Sequence, residues 1–181
     1  AMNQGGTYSN VHLPDYRYGL VIEEGVTELE EIHSKSQNRV SSVEEFTVHE
    51  IGGSADLKVV TTYTDGEADN IRNTLKNNSL SKISKDYENF YANYYNQIAA
   101  TQKPEIEDDL DKNEIIVREF YKIDSIWVPY EDKKGYIAMS FTPTNLSDIL
   151  YVDYLQERKS NYYLPHPASR EHEFIVNLPE P

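Results

Sequence analysis

The sequence predicts an α+β fold: antiparallel strands, arranged as sandwich-like sheets, pack against a two-helix insertion at about residues 67 to 99. Three observations carry this expectation. Apolar residues alternate with period two on either side of the insertion, at Phe46 and Val48, from Leu57 to Tyr63, and from His172 to Leu178. Between them, residues 80 to 98 carry a 3,4 repeat. The third observation is aromatic content: 15 Tyr, 5 Phe and 1 Trp argue for a packed core, because acidic disordered chains are poor in aromatics.

Each element follows from local pattern. Residues 3 to 10 are Gly/Ser/Asn-rich, and Leu13 to Tyr16 form an extended or turn segment. Residues 17 to 23 (RYGLVIE) predict a short buried strand closed by Gly25, and the polar stretch 27 to 42 predicts a linker. From Val43 two antiparallel strands are expected, joined through Gly52-Gly53-Ser54. Asp65-Gly66 ends the second, and Ala68, Ile71 and Leu75 begin a helix running to Asn78. Ser79 is a suitable N-cap for a second helix, in which Leu80, Ile83, Tyr87, Phe90, Tyr91, Tyr94 and Ile98 make one apolar face over five turns.

Beyond Pro104 the acidic run EIEDDLDKNE predicts a solvated turn. Ile115, Val117 and Tyr121 then share one strand face while Ile116 and Phe120 share the other, as in a central strand. Trp127 and Pro129 end it, residues 136 to 141 make another short strand, and Leu146 to Leu155 a short helix. Residues 171 to 178 supply the closing strand. No internal repeat or heptad is present.

Composition excludes several functions. With 17 basic and 31 acidic side chains the net charge is −14, which disfavours a binder of the nucleic-acid backbone. Cysteine is absent, so disulfides, thiolate metal sites and a Cys nucleophile are absent too. No apolar run approaches the roughly 20 residues that cross a bilayer. Ala1-Met2 suggests an expression remnant ahead of an excised segment.

Six segments together resemble the region that follows the catalytic core in bacterial transglutaminase-like proteins of the type with an upstream domain of unknown function. They are NQGG (3–6), LPDYRYGLVIEEG (13–25), TYTDGEADNIRNTL (62–75), YENFYANYYNQI (87–98), EDDLDKNEIIVREFYKI (107–123) and LPHPASREHEFIVNLPEP (164–181). The resemblance implies a papain-type Cys-His-Asp core lying before residue 3, so no catalytic residue is carried onto this chain. It also implies a division into residues 1–42, the tail of that core plus a linker, and residues 43–181, a non-catalytic accessory domain. Tyr18, Leu20 and Ile22 would face the core of the same polypeptide, the expected partner. A protein or glycan substrate is a further expected partner, and a periplasmic or cell-envelope location is implied. No cofactor is implied.

Four sets of residues merit weighing as sites. Asp109, Asp111 and Asn113 match the opening of a Ca²⁺ loop, but Glu114 and Phe120 occupy the positions that need Gly and a bidentate Glu, so a solvated turn is favoured. The Tyr-rich second helix is favoured as core packing, with Tyr95 at its flank only partly covered; if exposed, Tyr95 and Trp127 would suit an autonomous glycan- or peptide-binding module, the alternative function. Asp69 and Arg72, one helical turn apart, are a structural pair worth about 0.2–0.5 kcal/mol if exposed and more if Arg72 is buried under the second helix. His12, His33, His49, His166 and His172 show no metal-ligand spacing, and no G-x-S-x-G elbow occurs.

Overall fold

A computed structural model describes residues 4–7, 11–12, 16–33, 37–131, 133–150 and 166–180. The chain runs β1 (Tyr18–Leu20), β2 (Leu29–Glu31), β3 (Arg39–Val48), β4 (Ala55–Thr64), α1 (Gly66–Asn77) and α2 (Leu80–Tyr91). It continues through β5 (Ile98–Ala100), β6 (Glu105–Asp109), β7 (Glu114–Ile123), β8 (Val128–Pro129), β9 (Ile137–Ala138), α3 (Thr144–Leu150) and β10 (Ser169–Asn177). The fold is α+β, with α1 and α2 inserted between β4 and β5 as the sequence predicts.

The main sheet has six strands in the order β10-β3-β4-β7-β5, with β6 also paired to β7. Its neighbours are antiparallel except β10, which runs parallel to β3. Two ribbons, β1-β2 and β8-β9, stand apart from it. Along β3, β4 and β7 alternate residues are buried, so one face of the sheet is covered and the other half-open.

Phe46, Leu57, Val59, Tyr121 and Ile123 on the covered face meet Tyr91, Tyr95 and Ile98, while Phe141 and Phe174 close the flank. Phe46 sits edge-on to both Tyr95 and Phe141, at 5.6 and 4.9 Å between ring centres. A smaller cluster, in which Ala68, Ile115 and Val117 meet Ile71, Leu75 and Tyr87, seats α1 and the Tyr87 turn of α2 at the other end of the sheet.

Several expectations are corrected by this arrangement. The segment around Tyr18, Leu20 and Ile22 is not a buried strand: among the described residues β1 pairs only with β2, and all three side chains are exposed. The expected linker already contains β2 and the first residues of β3. Helix α2 stops at Tyr91, with the Asn93 amide donating back to the carbonyls of Asn89 and Phe90, and Ile98 belongs to β5. Phe90 and Tyr94 consequently remain about 40% exposed, outside the expected core face.

The acidic run is a hairpin, β6-turn-β7, rather than a turn alone. Residues 136 to 141 contain only the two-residue β9. The expected continuation of α3 to Leu155 lies outside the described residues. Ser79 does cap α2, its Oγ accepting the Lys82 amide at 3.2 Å.

Candidate functional site

Strand register explains how polar groups come to lie on the covered face. Glu44 of β3 is opposite Val59 of β4, which is opposite Glu119 of β7, so two carboxylates share one row about 10 Å apart across an intervening strand. In the adjacent row, His172, Ser42, Thr61 and Val117 are aligned on the four strands. The next row carries Arg170, Val40, Tyr63 and Ile115. A polar band therefore crosses the sheet between the two hydrophobic clusters. Glu44 is fully buried, and Glu119, Ser42 and Thr61 are 6% exposed.

Burying a carboxylate is costly unless it is paired or hydrogen-bonded. Glu44 accepts from the Tyr91 hydroxyl at 3.3 Å and from the Tyr95 hydroxyl at 3.4 Å. His172 Nε2 lies 3.4 Å from Glu44 Oε1, off the line of a hydrogen bond, while Nδ1 is 2.8 Å from Asn145 Oδ1. Glu119 is held differently. It accepts the Tyr121 hydroxyl, and among the described residues no cation pairs with it. Burial, only partly offset by that hydrogen bond, pushes its carboxyl up to about 7.

Above this band a pocket of about 350 Å³ opens between α2 on one side and α3 and β10 on the other. Ser42, Thr61 and Glu119 form its floor, and Tyr63, Tyr87, Phe90 and Tyr91 its aromatic wall. Burial pushes the Tyr87 phenol up to about 12, and it raises Tyr63 and Tyr91 as well, so all three hydroxyls stay protonated near neutrality.

A second polar cluster lies at the end of the sheet where β3 and β7 begin. Arg72 donates to both carboxylate oxygens of Asp108 at 2.7–3.2 Å, to Asp69 at 2.9 Å and to Asn113 Oδ1 at 2.5 Å. Asp69 also accepts the Gly5 amide at 2.8 Å, and Gly6 N–H donates to the Leu110 carbonyl at 2.7 Å. A methyl group on Gly5 would overlap Arg72 Nη1 and Asn113 Oδ1, so any larger residue would displace this hydrogen-bonded pair. Nearby, Asn38 Oδ1 accepts the first amide of α1 from Gly66, and Arg170 bonds both Glu67 and the Asn38 carbonyl.

The predicted site residues are distributed as follows. Asp109, Asp111 and Asn113 do not converge: Asp109 pairs with Lys112, Asp111 is exposed, and Asn113 is fully buried against Arg72. Among the described residues no group of three or more acids and histidines is placed to hold a metal. Tyr95 is buried at 6% exposure with its hydroxyl on Glu44, and Trp127 packs half-buried against the core. Tyr95 thus packs in the core, as favoured for this helix, and the candidacy of Tyr95 and Trp127 as exposed recognition aromatics is corrected.

Arg72 is buried, as the stronger structural reading of the Asp69 pair requires, although its partners come from the β6-β7 hairpin rather than from α2. Sequence reasoning missed Glu44, Glu119 and the Tyr63 and Tyr87 wall. The signal was parity: Glu44 is in phase with Phe46 and Val48, and Glu119 with Val117 and Tyr121. No protein-family model, curated protein or solved structure matches the chain.

Proposed function

We propose that this chain is the non-catalytic accessory domain of a transglutaminase-like protein, which positions the catalytic core of the same polypeptide and belongs in the cell envelope. The reading rests on the six resembling segments, and one observation supports it most directly. Three of those segments meet in space: Gly5 of the first is gripped by Asp69 and Arg72 of the third and by Asn113 of the fifth. Residues recurring in a motif of this kind thus serve to hold the chain at residues 4–6 in a fixed place on the domain. A rigid attachment there fixes the direction from which a preceding core would approach.

The β1-β2 ribbon offers the surface that such a core would cover. Tyr18 and Leu20 share a face of β1, Leu29 lies opposite Leu20, and Ile22 is fully exposed. Among the described residues these side chains belong to neither core cluster, whereas burial against a partner would stabilise the contact by about 1.5–3 kcal/mol for each large apolar side chain. With no cysteine, the domain carries none of the thiol chemistry that the resemblance assigns to the core.

The test is made in the full-length parent protein. Leu20→Asp with Ile22→Asp changes only exposed positions, so the domain's fold is retained while core docking is lost. Acyl-transfer or peptidase activity and thermal stability are expected to fall together. A doubly substituted parent that kept both unchanged, along with a parent cut before residue 43 that did the same, would remove the accessory role.

A further inference from the structure

We propose that the aromatic-walled pocket over the sheet binds a guanidinium group, carried on an arginine side chain or a small alkylguanidine. The inference is independent of the accessory role and starts from an electrostatic asymmetry. Three carboxylates line the pocket. Glu67 is paired with Arg170, and Asp86 with Lys82 at 2.6 Å. Glu119, on the floor and more than nine-tenths buried, makes no ion pair among the described residues, and Arg170, which lines the same pocket, is bound to Glu67. A buried acid of this kind is complementary to a cation that enters from outside.

The surroundings select which cation. Hydroxyls of Ser42 and Thr61 and the Glu119 carboxyl give several oxygen atoms on the floor of the pocket, and Tyr63, Tyr87, Phe90 and Tyr91 give aromatic surface on its wall. An ammonium ion is compact and strongly hydrated, so it loses much on entering a half-buried site. A guanidinium is planar and weakly hydrated; it stacks on aromatic faces and spreads five N–H donors over several acceptors. Anions are disfavoured by the unpaired acid and by the net charge of −14. A neutral polyol would leave Glu119 without a counter-charge.

Occupancy by a guanidinium requires the ionised form of Glu119, so binding is linked to its proton. Facing this carboxyl are Glu44 from β3, Tyr63 from β4, Tyr87 and Tyr91 from α2, and Tyr121 on β7 itself. The four phenols are all raised and stay neutral between pH 5.5 and 8.5. Over that range affinity is expected to rise about thirtyfold as a carboxyl near 7 ionises, because the guanidinium itself does not titrate.

Agmatine is the probe, titrated into the intact chain and followed by calorimetry and by backbone amide shifts. Its uncharged analogue 1,5-pentanediol, its ammonium analogue 1,5-diaminopentane and the dianion glutarate serve as comparators. Nα-acetyl-arginine methylamide distinguishes a peptide source from a free alkylguanidine: whichever of it and agmatine binds more tightly names the source, and both are guanidinium ligands. Saturable agmatine binding is expected, with shifts in β4 and β7, at least tenfold tighter than the diamine. Glu119→Gln should weaken it at least tenfold and abolish the rise with pH.

Phe90→Ala, at a position about 40% exposed, leaves the fold intact and should also weaken binding if Glu119→Gln fails to fold. Equal binding of the diol or glutarate, diamine binding as tight as agmatine, shifts confined to the exposed acids of β6, or binding unaffected by Phe90→Ala would each overturn the proposal. So would no binding at millimolar agmatine.

Discussion

Replacing Glu119 by Gln should make this protein more stable at alkaline pH and change it by less than about 1 kcal/mol at pH 5. The side chain is 6% exposed, and its carboxyl moves from 4.5 in the unfolded chain to about 7 in the folded one, chiefly through burial. A folded-state value above the unfolded one means that the native protein holds the proton more tightly. That contribution to stability is complete below pH 4.5 and is lost as pH rises through 7. The displacement corresponds to about 3 kcal/mol.

Gln keeps the size and the acceptor for the Tyr121 hydroxyl but has no charge to bury. Urea denaturation of both proteins at pH 5, 6, 7 and 8 isolates the effect, since titrating groups that do not interact with Glu119 cancel in the difference. At pH 8 the variant should be stabilised by up to about 3 kcal/mol, or about 6–12 °C in melting temperature for a chain of this length. A difference between the two proteins that is flat from pH 5 to 8 would refute the assignment of a buried, proton-binding carboxyl.

Arg72→Ala strands Asp69 and Asn113 and should cost about 3–5 kcal/mol in chemical denaturation, whereas Lys82→Ala, which breaks the exposed pair with Asp86, should stay within about 0.5 kcal/mol. Equal losses would show that the Gly5 cradle carries no special weight. Ser79→Ala removes the cap of α2 and should cost about 1 kcal/mol, with Ser79→Asp recovering most of it in the same melts. Tyr95→Phe deletes one of the two hydroxyls on Glu44 and should destabilise by about 1–3 kcal/mol, read at pH 7. A neutral result there would mean that the Tyr91 hydroxyl alone satisfies the carboxylate.

The long strands and both inserted helices were legible because each buries one face, and a buried face leaves a period in the sequence. Where the sequence misleads, the cause is the same core seen from another element. Tyr94 and Ile98 extend the 3,4 repeat of α2, yet Gln97 adopts φ 55° and the chain turns to place Ile98 in β5 against the same sheet face. The repeat therefore records proximity to the core, not helix. In the β1-β2 ribbon apolar residues suggest burial, but nothing in a local pattern distinguishes a side chain packed inside its own domain from one left outside it.

Glu44 and Glu119 were overlooked for the opposite reason, since a charged residue on a strand is ordinarily assigned to the solvent face. Parity with Phe46 and with Val117 placed them inward regardless. What the sequence could not supply is the alignment of the two through Val59, which depends on pairings between strands far apart in the chain.

The parallel pairing of β10 with β3 also has a consequence for biosynthesis. Each of its nine residues adds to a strand made roughly 130 positions earlier. During synthesis β3, β4 and the helices emerge first, and β3 then presents an open, ten-residue edge with Phe46 and Val48 unshielded by Phe174 and Val176. The sheet reaches its full width only when residues 169–177 have left the ribosome. Loss of that final segment would convert an interior strand into an adhesive margin, so a chain interrupted late in translation is the form most exposed to aggregation.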